Sequence, residues 1–170
     1  MFRRFYPSKT CASVYDIDFE QYYADGFRAV LFDIDNTLVE HEAPCDEKAR
    51  ALFERLRSVG FKTCIISNNH GPRVESFAKV AKSRYICDAG KPSKDGYEKA
   101  AELLNVKKEE TMMVGDQLFT DIWGANRAGI YSVCTKQIAP DPYFHIKLKR
   151  IGEKIVWPFY RLYSSRRKGR

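Results

Sequence analysis

Three histidines and five scattered cysteines leave this chain poorly equipped for zinc: Cys11, Cys45, Cys64, Cys87 and Cys134 form no CxxC pair. Their odd number also argues against a disulfide framework. Cys64, Cys87 and Cys134 fall inside apolar runs, where a free thiol behaves as a small hydrophobe. These features describe a reduced, cytosolic-side protein without a zinc site. No stretch approaches the roughly 20 apolar residues that span a bilayer. The opening, Met1-Phe2-Arg3-Arg4-Phe5-Tyr6-Pro7, is basic but has no apolar run behind it, so no secretory signal is expected. Acid is nearly absent from the end of the chain. Between His145 and Arg170, nine Lys/Arg stand against the single Glu153, leaving 20 basic and 21 acidic residues before it. The net charge of +7 therefore belongs to the tail.

What is present suffices for one globular domain: 170 residues, 44% apolar and 30% charged. Short apolar runs alternate with helical patterns along the chain. Runs near Arg28–Asp33, Phe61–Ile66, Tyr85–Cys87, Thr111–Val114 and Ile130–Cys134 read as strands. Between them, helices are expected over Asp46–Val59, Pro72–Lys82, Ser93–Leu104 and Asp121–Ala128. A short helix over Asp18–Asp25 is signalled by Asp18 with Gln21 three residues later. The alternation predicts an α/β fold, a Rossmann-like three-layer sandwich with a mostly parallel sheet of about five strands. Residues 1–27 read as a lead-in packed on the core, 28–137 as the main α/β domain, and 138–170 as a basic amphipathic tail.

In open parallel sheets, ligands bind beyond the carboxyl ends of the strands. Here those ends carry Asp33-Ile34-Asp35-Asn36-Thr37, Ser67-Asn68 and Gly115-Asp116, with Asp121 close behind and Lys91 a few residues after the third strand. Each has a plain reading too: Asp and Asn favour turns, Asp121 suits a helix cap, and loop lysines are usually solvated. Four consecutive strands delivering polar groups to one edge favours a site. Asp33 and Asp116 could hold Mg²⁺, a hard cation that takes oxygen ligands and substrate phosphate oxygens. Ser67 and Lys91 could hold the remaining phosphate oxygens. A carboxylate against phosphorus can attack it, and Asp35 is then a candidate acid and base.

In order, Asp33-Ile34-Asp35-Asn36-Thr37, Ser67, Lys91 and Gly115-Asp116-Gln117-Leu118-Phe119-Thr120-Asp121 resemble the four motifs of the haloacid dehalogenase (HAD) superfamily of phosphatases. The resemblance implies Asp33 as nucleophile and Asp35 as acid/base. It implies Mg²⁺ on the Asp33 carboxylate, the Asp35 carbonyl and Asp116, with Asp121 supporting that site without touching the ion. Thr37, Ser67, Asn68 and Lys91 are the residues implied for the phosphoryl group, Thr37 also positioning the catalytic loop. The lead-in Pro7 and Ser13-Val14-Tyr15-Asp16-Ile17, Ser67-Asn68-Asn69 with Arg73-Val74, and Gly124-Ala125-Asn126-Arg127 resemble the YqeG-type subfamily. That subfamily is similar to mitochondrial phosphatidylglycerophosphate phosphatases. Trp123 and the pair His70-Gly71 depart from its pattern, with possible effects at the site's mouth. His41, His70 and His145 receive no catalytic role.

Only 29 residues separate Thr37 from Ser67 and 23 separate Ser67 from Lys91, which leaves no space for an inserted cap domain. An uncapped, open site suits a large or embedded substrate. The expected activity is a Mg²⁺-dependent phosphomonoesterase working through an aspartyl-phosphate on a lipid phosphate, with phosphatidylglycerophosphate implied by resemblance. The rival enzymatic reading is hydrolysis of protein or polynucleotide phosphates. A non-catalytic reading gives the basic tail RNA or a ribosome to bind. Phe144, Leu148, Ile151 and Ile155 fall on one helical face with Lys147, Lys149, Arg150 and Lys154 off it. That pattern reads either as an interfacial helix on an anionic membrane surface or as a stripe packed on the core. The expected place is the cytoplasm, with peripheral membrane association through the tail.

Overall fold

The computed structural model describes residues 2–168. Six strands form one sheet: β1 (Lys9–Cys11), β2 (Ala29–Phe32), β3 (Lys62–Ile66), β4 (Arg84–Ile86), β5 (Thr111–Gly115) and β6 (Tyr131–Thr135). Their order is β1-β6-β5-β2-β3-β4, and every pairing is parallel. The sheet thus has one strand more than the sequence suggested. β1 escapes a pattern search because its three residues include no buried one, so only pairing with β6 defines it.

Parallel pairing demands crossovers, and the helices supply them. They are α1 (Phe19–Ala24), α2 (Glu47–Val59), α3 (Gly71–Ala81), α4 (Asp95–Leu104), α5 (Trp123–Ala128) and α6 (Phe144–Lys168). The period-2 geometry of β2 sends alternate residues to opposite faces. Val30 and Phe32 join Phe19, Phe53, Leu56 and Phe77 on one side. Ala29 and Leu31 join Tyr97, Ala100, Leu104 and Ala125 on the other. Each large side chain so buried contributes about 1.5–3 kcal/mol relative to exposure. Two helix starts follow the sequence signals: Asp18 accepts from the Gln21 N–H at 2.9 Å and Asp46 from the Ala49 N–H at 2.7 Å. Ser93 does not cap α4, which begins two residues later with Lys94 at the capping position. The turn Leu118–Ile122 is wound as a π-helix ahead of α5.

The topology fixes where chemistry can occur. Chain connections run outward in opposite directions from β2 and β5, which makes their carboxyl ends a switch point. Asp33 follows β2 and Asp116 follows β5, with the Asp33 N–H donated to the Val114 carbonyl at 3.1 Å.

α6 is a single 25-residue helix that continues through Pro158. Its docked side carries the buried Ile146, Glu153 and Val156. Gly152 permits close approach, since a Cβ there would lie 2.7 Å from the Phe119 ring. Phe2 packs on Phe159, Phe5 on Phe119 and Trp123, and Tyr6 on Tyr160 and Tyr163, so these N-terminal aromatics meet α6 and the π-turn.

Candidate active site

Asp33, Asp116 and Asp121 are buried, and each offers an oxygen within 4.8 Å of the others. Gly115 allows this, because a Cβ on it would sit 2.5 Å from Asp121. The Lys91 ammonium lies against two of the three, 2.5 Å from Asp33 Oδ1 and 2.7 Å from Asp121 Oδ1. Burial works against the charge of Lys91, but Asp121 and Asp33 outweigh it and hold the ammonium well above its usual range. Burial pushes Asp33 upward, against the pull of Lys91 and with the push of its acidic neighbours. Burial likewise pushes Asp116 up to about 7 despite Arg150 beside it. Crowded, desolvated carboxylates of this kind fit a hard cation, whose charge would offset both shifts.

Asp35 stands apart from that trio. Its oxygens accept from Asn69 Nδ2 at 2.6 Å, Arg73 Nη2 at 2.8 Å and the Glu42 N–H at 2.9 Å. The side chain lines the cavity together with Asp33 without joining the buried trio. Ser67 accepts from the Asn69 N–H at 3.1 Å, leaving its own proton to donate. Lys91 keeps a third N–H beyond its two carboxylate bonds.

Two residues expected at the phosphate also hold the surrounding loops, and one of them, Asn68, lines the cavity. Thr37 is buried and donates to Asp116 Oδ1 at 3.3 Å, so its side chain ties the first loop to the fourth. Asn68 accepts from the Lys91 N–H at 2.8 Å and donates to the Lys91 carbonyl at 3.1 Å. One bond at each end of its amide shapes the lysine loop, and a second Nδ2–H remains. Asp121 is no helix cap: its Oδ2 accepts from the Gln117 N–H at 3.0 Å. Trp123 and His70 do not line the cavity. Trp123 packs against Phe5, and His70 is exposed beside Asp88.

The tail lines the cavity through Tyr143, His145, Ile146 and Lys149, and Arg150 ties it to the site's carboxylates. Arg150 donates to the Asp116 carbonyl at 2.8 Å, to Asp141 Oδ2 at 2.8 Å, to Glu153 Oε2 at 3.1 Å and to the Asp116 carboxylate. Glu153 accepts from the Leu118 N–H at 2.7 Å, and burial raises its carboxyl above the usual range. Asp141 accepts from Asn36 Nδ2 at 2.9 Å, while Asn36, at φ +62, accepts from the Ala139 N–H. One polar chain therefore links Asn36, Asp141, Arg150, Asp116 and Glu153. Sequence reasoning missed it, since Arg150 and Glu153 sit among tail charges that resemble solvated ones. The remaining signal was Glu153 as the lone acid in a basic segment.

Residues 42–129 match the family of haloacid dehalogenase-like hydrolases. The chain belongs to that family. Among HAD relatives, the probable phosphatase YqeG of Bacillus subtilis is 29% identical over 171 residues, covering 99% of this chain and 96% of the relative. Phosphatidylglycerophosphate phosphatase 1 of Arabidopsis thaliana is 29% identical over 147 residues, covering 79% of this chain but only 42% of that protein. In fold, the chain is similar to the cobalt-bound deoxy-D-mannose-octulosonate 8-phosphate phosphatase of Haemophilus influenzae, with TM-score 0.54 and 12% identity over 68% of this chain and 72% of that one. The HAD fold is thus present with a parallel sheet flanked by helices on both faces. No helix is long and apolar enough to cross a membrane among the described residues.

Proposed function

We propose that this HAD-type phosphatase hydrolyses phosphomonoesters through a phosphoryl-aspartate on Asp33, with a divalent cation, Mg²⁺, held by Asp33, the Asp35 carbonyl and Asp116. The observation that carries the reading is the Lys91 ammonium bridging Asp33 and Asp121, with Asp116 completing a buried cluster. A protein that only binds has no use for such costly burial of like charges. A bound cation would offset negative charge on the phosphoryl oxygens and the carboxylates.

The chain's own groups then act in sequence. An Asp33 oxygen forms a bond to phosphorus as the ester P–O bond breaks, and the departing oxygen takes a proton from Asp35. Ser67 and the free Lys91 N–H hold the phosphoryl oxygens. Water next attacks phosphorus and gives its proton to Asp35, releasing phosphate and restoring the Asp33 carboxylate. Arg73, Asn69 and the Glu42 N–H keep Asp35 aimed during both transfers. Asp121 acts through Lys91.

A lipid phosphate at an anionic membrane surface is the substrate reading best supported. Phe144, Leu148, Ile151, Ile155, Phe159 and Leu162 recur at helical spacing and are 48–80% exposed. Apart from Phe159, which meets Phe2, the stripe therefore does not pack on the core, and Lys147 and Lys154 flank it with no acid on that side. An apolar face with basic margins suits a bilayer better than RNA, which asks for stacking rings along a basic groove. The relative's name adds phosphatidylglycerophosphate as the leading candidate.

The test measures phosphate release from p-nitrophenyl phosphate and from lipid phosphates, with and without Mg²⁺, using Asp33→Asn as blank. Cation-dependent release that vanishes in the blank is expected. Full activity in excess EDTA overturns the cation assignment. Sedimentation with anionic but not neutral vesicles, weakening as salt rises, is expected for the α6 face.

A further inference from the structure

The cavity reaching Asp33 and Lys91 holds about 350 Å³, and three of its mouth residues belong to neither the nucleophile nor the phosphate set: His41, His145 and Lys149. A cavity of that size is small for a ligand site. A phosphoryl group at Asp33 therefore leaves its ester arm against these residues.

His41 is the most informative of them. Both ring nitrogens are buried, and neither has a hydrogen-bond partner among the described residues. The nearest carboxylate oxygen, Asp141 Oδ1, lies 4.0 Å from Nε2, beyond hydrogen-bond reach. Asp141 is in any case engaged by Asn36 and Arg150. Buried polar atoms nearly always have partners, so an unpaired imidazole lining a substrate cavity points to a ligand atom.

Tyr143 fixes the rest of the mouth. Its ring packs edge-on to His41 at 5.6 Å and stacks on His145 at 5.7 Å. Its hydroxyl is donated to Glu42, which engages the one acid on the cavity lining besides Asp33 and Asp35. Lys149 follows His145 by one helical turn, lines the same cavity, and has no ion-pair partner among the described residues. The mouth thus offers cationic and N–H donors with their local acid already occupied.

We propose that His41, His145 and Lys149 form a second anion subsite, selecting phosphomonoesters that carry another negative group close to the scissile phosphate. The proposal rests on the phosphomonoesterase reading and narrows its substrate class. A soluble bisphosphate and a lipid bearing a phosphodiester share this chemistry.

Two matched pairs separate those sources. Propyl phosphate and propane-1,3-diol bisphosphate form the soluble pair. Phosphatidic acid and phosphatidylglycerophosphate, each in phosphatidylcholine vesicles, form the lipid pair. The wild-type chain is expected to favour the member with the second anion by at least about tenfold in kcat/KM in one pair, the change a charge-assisted contact makes. Lys149→Ala and His145→Ala, both at exposed positions, are expected to reduce that ratio several-fold through KM, and Lys149→Glu to invert it. Lys79→Ala, on α3 and outside the cavity lining, is expected to keep the wild-type ratio. Equal use of both members of each pair, or variants whose ratio is unchanged, overturns the subsite. Absence of turnover on all four substrates overturns the phosphomonoesterase reading, and the subsite with it.

Discussion

Asp33 and Asp116 follow directly on β2 and β5, whereas Arg150 reaches Asp116 from a helix 34 residues further along the chain. The sheet-borne half of the site is placed by backbone ladders on both sides of β2. The half closed by α6 is placed by side-chain bonds to carboxylates and by a small apolar cluster of Leu118, Ile122, Cys134 and Val156. Ladder hydrogen bonds set position to a fraction of an ångström with little dependence on sequence. Side-chain anchors depend on each partner being present. The sheet half should therefore lose chemistry without losing structure when altered, and the α6 half should lose both.

The sharpest test is Asp33→Asn. Turnover of p-nitrophenyl phosphate is expected to fall on the order of 10⁴-fold or more, as for loss of a nucleophile. Circular dichroism should be unchanged, because β2 and its ladders are untouched. Arg150→Ala comes next and addresses the other half. It leaves three carboxylates, Asp116, Asp141 and Glu153, buried without their shared cation. A stability loss of about 3 kcal/mol is expected in urea titration. Turnover should fall about a hundredfold as Asp116 is displaced. Deleting residues 143–170 is expected to resemble Arg150→Ala and to lose soluble-substrate turnover, since the helix walls the site.

Acid gives an intermediate effect. With Asp116 pushed up from its ordinary 3.8 to about 7, the folded cation-free chain binds a proton more tightly than the unfolded one. That contribution to stability is fully present below pH ~4 and is lost as pH rises through about 7. A cation must displace the same proton, so its apparent affinity should fall by up to about tenfold per pH unit below 7. Calorimetry in buffers of different ionisation enthalpy reads the proton released. The smallest effect belongs to the outer side of α6. Changing Leu148, Ile151 and Ile155 together to Ser should leave p-nitrophenyl phosphate turnover within about twofold, because these side chains are 58% exposed. The same variant should lose sedimentation with anionic vesicles. A collapse of soluble activity instead would erase the distinction between the two sides of the helix.

The same division explains what the sequence disclosed. Residues at strand ends were legible because a buried run such as Ala29-Val30-Leu31-Phe32 dictates both the strand and the place where it stops. Ser67 and Asp116 were found on that logic and Lys91 by its place a few residues past a strand, and the structure brings them to one edge. β1 was not legible, since Lys9-Thr10-Cys11 buries nothing by itself. The periodicity of Phe144, Leu148, Ile151 and Ile155 marked a helix face, and the interfacial reading of it already turned that face outward, as the structure does. Amphipathic helices usually turn the apolar side inward. Here the inward side is Ile146, Arg150, Glu153 and Val156, because buried carboxylates near Asp116 require a cation more than the core requires another stripe. Asp141 was overlooked for a similar reason: a single loop residue has no period, and Asn36, from which it accepts, lies 105 residues away.

The place of β2 has a further consequence, in the time over which backbone amides open to solvent. β2 is laddered on both edges, all four of its residues are buried, and it lies between the two main apolar clusters. Its amides belong to the part of the molecule that exchanges hydrogen last, at the cost of global unfolding. α6 lacks a ladder and presents a solvated stripe, so its amides exchange through local detachment at lower free energy. Excursions that release the helix leave Asp33 at its address on an intact sheet. The nucleophile then waits in a folded but unwalled site, and re-docking of one helix restores it without refolding the domain.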